Sequence, residues 1–198
     1  MTEKEKMIIQ QMSAPIDAAS IVLETERLIL RPVHQRDLYD IHEIVSDPMV
    51  TATAGFARSR TMDDSASRML EYMDDNETLA VVLKENNKMI GTVSLQKRFW
   101  PMYPIDHALQ GRELGFDLNR QYWGRGLMPE AVRKIVDYCF GNLEYDFLTA
   151  GHFLGNIQSE RAIEKCGFRF LFETEHENPG LWKKMIRTYI QYNPHKEI

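Results

Sequence analysis

No run of apolar residues in this 198-residue chain is long enough to cross a bilayer, so no membrane span and no membrane partner are expected. The first residues, MTEKEKMIIQQMSAPIDAAS, carry charge but no continuous apolar stretch ending in a small-residue cleavage site, and a cytoplasmic address is the default expectation. Cysteine is scarce. Cys139 and Cys166 show no CxxC or Cys/His spacing, and both fall at apolar positions of expected helices, so they read as buried thiols rather than as metal ligands or nucleophiles. Positive charge is in deficit, with 24 Lys and Arg against 29 Asp and Glu and a net charge of −5. Phosphate binding along a nucleic acid needs a basic footprint, so nucleic acid is not the expected partner; a cationic small molecule or peptide is compatible with the charge. There is no internal repeat and no low-complexity tract.

The 43% hydrophobic and 27% charged content is that of one ordinary globular domain. Residues 1–20 look like an extension, with a short helix expected over Glu3 to Met12, and the domain is expected to occupy 21–198. "ERLILRPV" reads as a strand, and "HQRDLYDIHEIVSD" follows at helical spacing through Leu38, Ile41, Ile44 and Val45. Thr61 with Asp64 forms a capping pattern for a second helix carrying Met62, Ala66, Met69, Leu70 and Met73. "TLAVVLKENNKMIGTVSLQKRF" reads as two strands around an Asn86-Asn87 turn, and "RELGFDL" as a third, with Leu114, Phe116 and Leu118 on one face. Leu127 to Phe140 is an amphipathic helix, "YDFLTAGHF" a strand, and "NIQSERAIEKCGF" a short helix with Asn156 as N-cap and Gly167 beyond its end. "FRFLFETEHE" and "GLWKKMIRTYIQYN" close the domain as a pair of strands. The expected order is therefore βαα, βββ, αβα, ββ, a mixed α/β sheet with packed helices.

The segment "RQYWGRGLMPEAV" joins a strand to a helix through two glycines. The first N–H groups of such a helix lack intrahelical partners and lie at the positive end of its dipole, and Gly124 and Gly126 would let an anion approach the backbone. Arg125 could add a charge-assisted contact. A dinucleotide fingerprint is excluded, because Gly126 is followed by Leu127, Met128 and Pro129 instead of a third glycine two residues on. A Walker loop is excluded by the missing Lys-Ser/Thr. On its residues alone, Gln121-x-x-Gly124-x-Gly126 reads either as a phosphate cradle or as a tight turn that binds nothing.

Beyond one more helix and strand stands "GNIQSERAIEKCGFRF". Together, "ELGFDLNRQYWGRGLMPEAV" and "NIQSERAIEKCGF" resemble the two signatures of the GNAT superfamily of N-acetyltransferases. The likeness is closest to the branch of ribosomal-protein N-terminal (alanine/serine) acetyltransferases and covers about Ile21 to Tyr192. It implies a GNAT fold: a mixed, mostly antiparallel sheet with a central parallel strand pair splayed to bind acetyl-coenzyme A, and helices on both faces. It implies that backbone groups of Phe116, Asp117 and Leu118 pair with the pantetheine. The pyrophosphate would rest on the turn from Gln121 through Tyr122, Trp123, Gly124, Arg125, Gly126, Leu127 and Met128. Asn156, Ala162 and Ile163 would contact the ligand from the other side. Independently of a ligand, Asn156 can simply cap its helix, Phe116 and Leu118 can be core, and Tyr122 and Trp123 can fix the turn.

Acetyl transfer to an amine needs a neutral amine, a stabilised oxyanion and a thiolate that can leave. The resemblance implies no metal: a backbone N–H near Leu118 can serve the oxyanion. Ser159, three residues after Asn156, is the candidate donor to the leaving thiolate; otherwise it bonds only its own helix terminus. Glu113 is the candidate base by resemblance to distant members, or else a glutamate facing solvent or an arginine. Glu173, Glu175 and Glu177 alternate and share one strand face, either as a cation-attracting wall or as a solvated one. His152 reads as a packed core histidine, His107 has no assigned role, and His34, His42, His176 and His195 read as surface residues. The acceptor is a primary amine, whether a protein N-terminus or a small molecule, and the alternative is a non-catalytic acyl-coenzyme A-binding module on the same fold. Monomer and homodimer are both compatible with the sequence. The aromatic segment Arg98-Phe99-Trp100-Pro101-Met102-Tyr103-Pro104 could wall the acceptor site or an oligomer contact.

Overall fold

The computed structural model describes residues 17–97, 104–106, 109–178 and 182–197. The expected helix over Glu3 to Met12, His107, and residues 98–103 of the aromatic segment lie outside the described residues. The elements run β1 (Leu23–Glu24), β2 (Leu28–Pro32), α1 (Leu38–Val45), α2 (Pro48–Ala54), α3 (Met62–Asp74), β3 (Thr78–Leu83), β4 (Lys88–Gln96), β5 (Gly111–Leu118), α4 (Leu127–Gly141), β6 (Phe147–Phe153), α5 (Ile157–Lys165), β7 (Arg169–Asn178) and β8 (Trp182–Tyr192). The sheet order is β1-β2-β3-β4-β5-β6-β8-β7, antiparallel throughout except for the parallel pair β5–β6.

Strand alternation divides the core into two faces. Leu28, Leu30, Leu79, Val81, Ile90, Val93, Leu114 and Leu118 pack against the apolar stripe of α4, which presents Leu127, Met128, Ala131, Val132, Ile135, Val136 and Cys139. Ala80, Val82 and Met89 face the other way, onto Ile41, Ile44 and Val45 of α1, Val50 of α2 and Met69 of α3. Helices therefore cover both faces, as the GNAT resemblance implies. The Thr61–Asp64 cap forms as the sequence suggests: Thr61 Oγ1 accepts from the Asp64 amide at 3.1 Å and Asp64 Oδ2 accepts from the Thr61 amide at 3.0 Å.

Two elements were not legible in the sequence, the short β1 and α2. Helix α2 is started by Asp47, whose Oδ1 accepts from the Met49 amide at 2.8 Å, with Pro48 at the first helical position, and is stopped by Gly55 at φ 82°. Two smaller expectations need correction. Cys166 sits at the C-cap of α5 rather than within a helix, although it is buried as expected. His34, His42 and His176 are half-buried, not surface residues; His42 Nδ1 lies 2.8 Å from Ser65 Oγ between α1 and α3.

The parallel ladder is short. It runs from Gly111↔Phe147 to Leu114↔Ala150 and stops, while β5 continues to Leu118 on β4 and β6 continues to Phe153 on β8. The two strands diverge beyond Leu114 and Ala150. On its other side β5 is held close to β4: a Cβ on Gly91 would lie 2.3 Å from the carbonyl oxygen of Asp117, so only glycine permits the pairing of Gly91 with Leu118.

Candidate active site

The divergence of β5 from β6 leaves the outer backbone edge of Gly115 to Leu118 without a strand partner, and a cavity of about 390 Å³ opens there. Phe116, Asp117 and Leu118 form one wall. A second wall is the turn after β5 and the start of α4, from Tyr122 to Pro129 except Arg125. The third is α5 with its cap, contributing Asn156, Gln158, Ser159, Arg161, Ala162 and Lys165. Val50, Thr53 and Ala54 of α2 close the far end.

Gly124 and Gly126 have φ of 76° and 73°, a left-handed backbone that β-carbons disfavour, and together they turn the chain from β5 into α4. Neither meets a steric limit from the protein itself. A Cβ on Gly124 would have nothing within 4 Å, and one on Gly126 would meet only Arg27 Nη2 at 3.8 Å. Among the described residues, the amides of Gly124, Arg125, Gly126, Leu127 and Met128 donate to no acceptor. Five donors thus converge at the positive end of a 15-residue helix, as an anion site requires.

The turn is pinned at several points. Trp123 Nε1 donates to the Leu118 carbonyl at 2.7 Å, and Asn119 Oδ1 accepts from the Gln121 amide at 3.0 Å. Tyr122 is buried in the main core, and Arg125 lies over its ring at 5.1 Å. From β2's leading turn, Arg27 Nε donates to Glu130 Oε2 at 2.7 Å and its Nη1 to the Arg125 carbonyl at 3.1 Å. Burial alone would push the Glu130 carboxyl up, but bonds from Thr25 and Arg27 outweigh it and hold the group below its usual value.

Helix α5 is fixed by its own first residues. Asn156 Oδ1 accepts from the Ser159 amide at 3.2 Å, and Asn156 Nδ2 donates to Ser159 Oγ at 2.9 Å. The same Nδ2 lies 3.5 Å from the Thr53 carbonyl, and Lys184 Nζ donates to the Ala52 carbonyl at 3.2 Å, so α2 is tied across the cavity to α5 and β8. At the other end of α2, Asp47 Oδ2 accepts from Arg120 Nε at 2.9 Å. A network binds α5 to the final strands: Arg187 bridges Glu173 and Glu160, each at 2.7 Å, and Tyr189 donates to Glu160 at 3.2 Å.

Most of the residues singled out in the sequence therefore meet: Phe116, Asp117, Leu118, Tyr122, Trp123, Gly124, Gly126, Leu127, Met128, Asn156, Ser159 and Ala162 line one cavity. Gln121 and Arg125 are exposed on the turn and Ile163 is in the core, so their side chains stand off the lining. Glu113 is half-buried on β5 at the rung opposite Thr149, inside the closed part of the ladder. Glu173, Glu175 and Glu177 share one exposed strand face away from the cavity, and the first two are ion-paired, with Arg187 and Lys183. His152 is packed as expected, 5.5 Å from the Tyr189 ring, with Nδ1 2.9 Å from the Phe153 carbonyl; its Nε2 has no partner among the described residues.

The lining also holds residues that sequence reading missed. Gln158, Arg161 and Lys165 follow Ser159's helix at intervals of three and four, a spacing that marks one face. Val50, Thr53 and Ala54 had no such signal, because α2 is too short to show a period.

A sheet opened at one parallel pair, with unpartnered amides at a helix start beside the gap, is the arrangement that the resemblance to the GNAT superfamily implies. Residues 27–169 match the acetyltransferase (GNAT) domain, and the chain belongs to that family; it is an acyl-coenzyme A-dependent transferase. It is 28% identical over 153 residues to an uncharacterized N-acetyltransferase, p20, of Bacillus licheniformis, covering 74% of this chain and 82% of that one. Two solved structures share the fold. A ribosomal-protein-S5-alanine acetyltransferase of Vibrio fischeri superposes with a TM-score of 0.66 at 22% identity, covering 90% of this chain and all of that one. A spermidine N-acetyltransferase of Vibrio cholerae, solved with CoA and spermine, superposes with a TM-score of 0.67 at 17% identity, covering 85% and 97%.

Proposed function

We propose that this protein transfers the acetyl group of acetyl-coenzyme A directly to a primary amine, within a complex that holds both substrates. The observation that carries the reading is the convergence of five unpartnered amides at the start of α4 with the Asn156/Ser159 pair, on opposite walls of a gap between diverging strands. The amides of Gly124 to Met128 would take the pyrophosphate, and the open backbone edge of Phe116, Asp117 and Leu118 would pair with the pantetheine amides as an added strand would. Asn156 and Ala162 would bound the arm from α5. Arg161 and Lys165 put positive charge on the same wall, which suits the phosphates of the donor.

The chemistry asks little else of the chain. The Leu118 N–H, at the end of the splayed edge, is positioned for the developing oxyanion. Ser159 donates to the departing sulfur, whose thiol pKa of about 8.5 makes an unassisted thiolate a moderate leaving group at neutral pH. The acceptor is an amine. The two structural neighbours named above act on a ribosomal-protein alanine and on spermidine, and both a protein N-terminus and a polyamine suit a chain of net charge −5.

The test is thiol release from acetyl-coenzyme A across a panel of peptides with free N-termini, polyamines and other primary amines. Release that requires both substrates supports the reading. Tight acetyl-coenzyme A binding with no turnover on any amine would replace it with a binding module of the same fold.

A further inference from the structure

One residue of the cavity lining, Asp117, carries a buried carboxylate oxygen that nothing satisfies. Asp117 Oδ2 accepts from Thr92 Oγ1 at 2.6 Å, across the β4–β5 pair. Its Oδ1 has no contact with bulk water and no hydrogen-bond partner among the described residues. A buried carboxylate oxygen without a donor is costly, and such atoms in folded proteins are normally paired. Asp117 lines the cavity, three residues beyond the vertex at Leu114↔Ala150, where β5 has left β6. It lies on the sheet face covered by α1 to α3, opposite the face that packs on α4. Glu113, on the same face four residues earlier, stands where the ladder is still closed.

We infer that Asp117 is the group that receives the acceptor amine: its carboxyl turns toward the cavity as the amine enters, and Oδ1 takes an N–H of the amine and then its proton as the amide bond forms. This rests on the acetyltransfer reading and adds a residue to it. The balance is simple. The amine nitrogen bonds to the acetyl carbon, the carbon–sulfur bond breaks, the proton leaving nitrogen goes to Asp117, and a proton from the Ser159 hydroxyl goes to sulfur. Solvent returns the first proton to the second group.

The surroundings suit a base. Burial pushes the Asp117 carboxyl up to about 6, against the opposing pull of the Thr92 hydrogen bonds and of the Arg68 charge. Facing it are Thr92 from β4 and Arg68 and Tyr72 from α3; the Tyr72 phenol is itself pushed up by burial and by the Asp117 charge, so it stays neutral. Helix α2, which closes this end of the cavity, carries no titratable side chain. A carboxylate with a pKa near 6 is ionised at neutral pH yet basic enough to accept a proton from a forming amide.

The experiment follows thiol release from pH 5 to 9 for the wild type, Asp117→Asn and Thr92→Val, with coenzyme A affinity measured by calorimetry on each. The wild type should lose kcat as pH falls, with a midpoint near 6. Asp117→Asn should lower kcat about a hundredfold, remove that acid limb and leave coenzyme A affinity within a few-fold. Thr92→Val keeps the carboxylate but removes a bond that favours its ionised form, so the limb should move to higher pH. An Asp117→Asn enzyme with wild-type kcat and an unchanged limb overturns this inference alone. So does an unmoved limb in Thr92→Val, or a loss of coenzyme A affinity in Asp117→Asn as large as the loss of kcat. A wild type that turns over no amine overturns the acetyltransfer reading as well.

Discussion

The side-chain nitrogen of Asn156 donates to the Ser159 hydroxyl at 2.9 Å while its oxygen accepts from the Ser159 amide at 3.2 Å. One asparagine thus caps α5 and occupies a lone pair of the serine, leaving the hydroxyl proton free to point into the cavity. Ser159→Ala is expected to lower kcat about a hundredfold with coenzyme A affinity nearly unchanged, as for removal of a proton donor. Thiol-release kinetics beside calorimetry check it; an unchanged kcat would remove Ser159 from the chemistry.

Gly126 separates the needs of the fold from those of the ligand. A Cβ there meets only Arg27 Nη2, at 3.8 Å, so the main structural cost of Gly126→Val is the left-handed backbone, about 1–2 kcal/mol. That is a drop of a few degrees in Tm for a chain of this size. Coenzyme A affinity should fall far more, by at least about a hundredfold, because the new side chain stands where the amides of Leu127 and Met128 present themselves. Thermal unfolding and calorimetry on the same sample separate the two effects.

Arg31 and Asp37 form a buried bidentate pair, Nη1 to Oδ2 and Nη2 to Oδ1, each 2.8 Å, which fastens the end of β2 to the start of α1. Asp37→Asn leaves the guanidinium buried without its counter-charge and should cost about 3–5 kcal/mol in urea unfolding at pH 7. Burial by itself would raise the Asp37 carboxyl, but Arg31 and the His34 amide outweigh it and hold the pKa below 3.8. A depressed folded-state pKa contributes stability above the unfolded value and loses it as pH falls through the folded one. The deficit of the variant should therefore be constant near neutrality and shrink below pH 3.8.

Both thiols should be silent in the native protein. Burial pushes Cys139 up to about 12 and Cys166 up to about 11, and Cys166 Sγ donates to the Pro129 carbonyl at 3.5 Å. A thiol-reactive dye should label neither on the time scale of a kinetic assay and both after denaturation. Rapid native labelling would mean that α4 opens locally from the core.

Long periodic segments were readable because burial imposes their pattern. The stripe of α4 and the alternation of Leu114, Phe116 and Leu118 repeat at the spacing their neighbours demand, and Asn156 and Gly167 mark the ends of α5 by their chemistry. Helix α2 was not readable by periodicity, since its seven residues, PMVTATA, span barely two turns and include β-branched residues that read equally as strand. Its ends were nonetheless written in the sequence as Asp47-Pro48 and Gly55. The site's walls from β5, the turn and α5 were legible as motifs. The far wall from α2 was not, nor was the orphaned oxygen of Asp117, which depends on what β4 and α3 place around it.

The four rungs from Gly111↔Phe147 to Leu114↔Ala150 are the sole backbone hydrogen-bond ladder between the half-sheet β1–β5 and the half-sheet β6, β8 and β7 among the described residues. So short a seam lets the halves breathe on separate clocks. A molecule lying in the cleft and touching both would couple their openings into one cooperative event. Amides on β8, remote from any ligand, would then slow their exchange with deuterated water on loading, and would report occupancy.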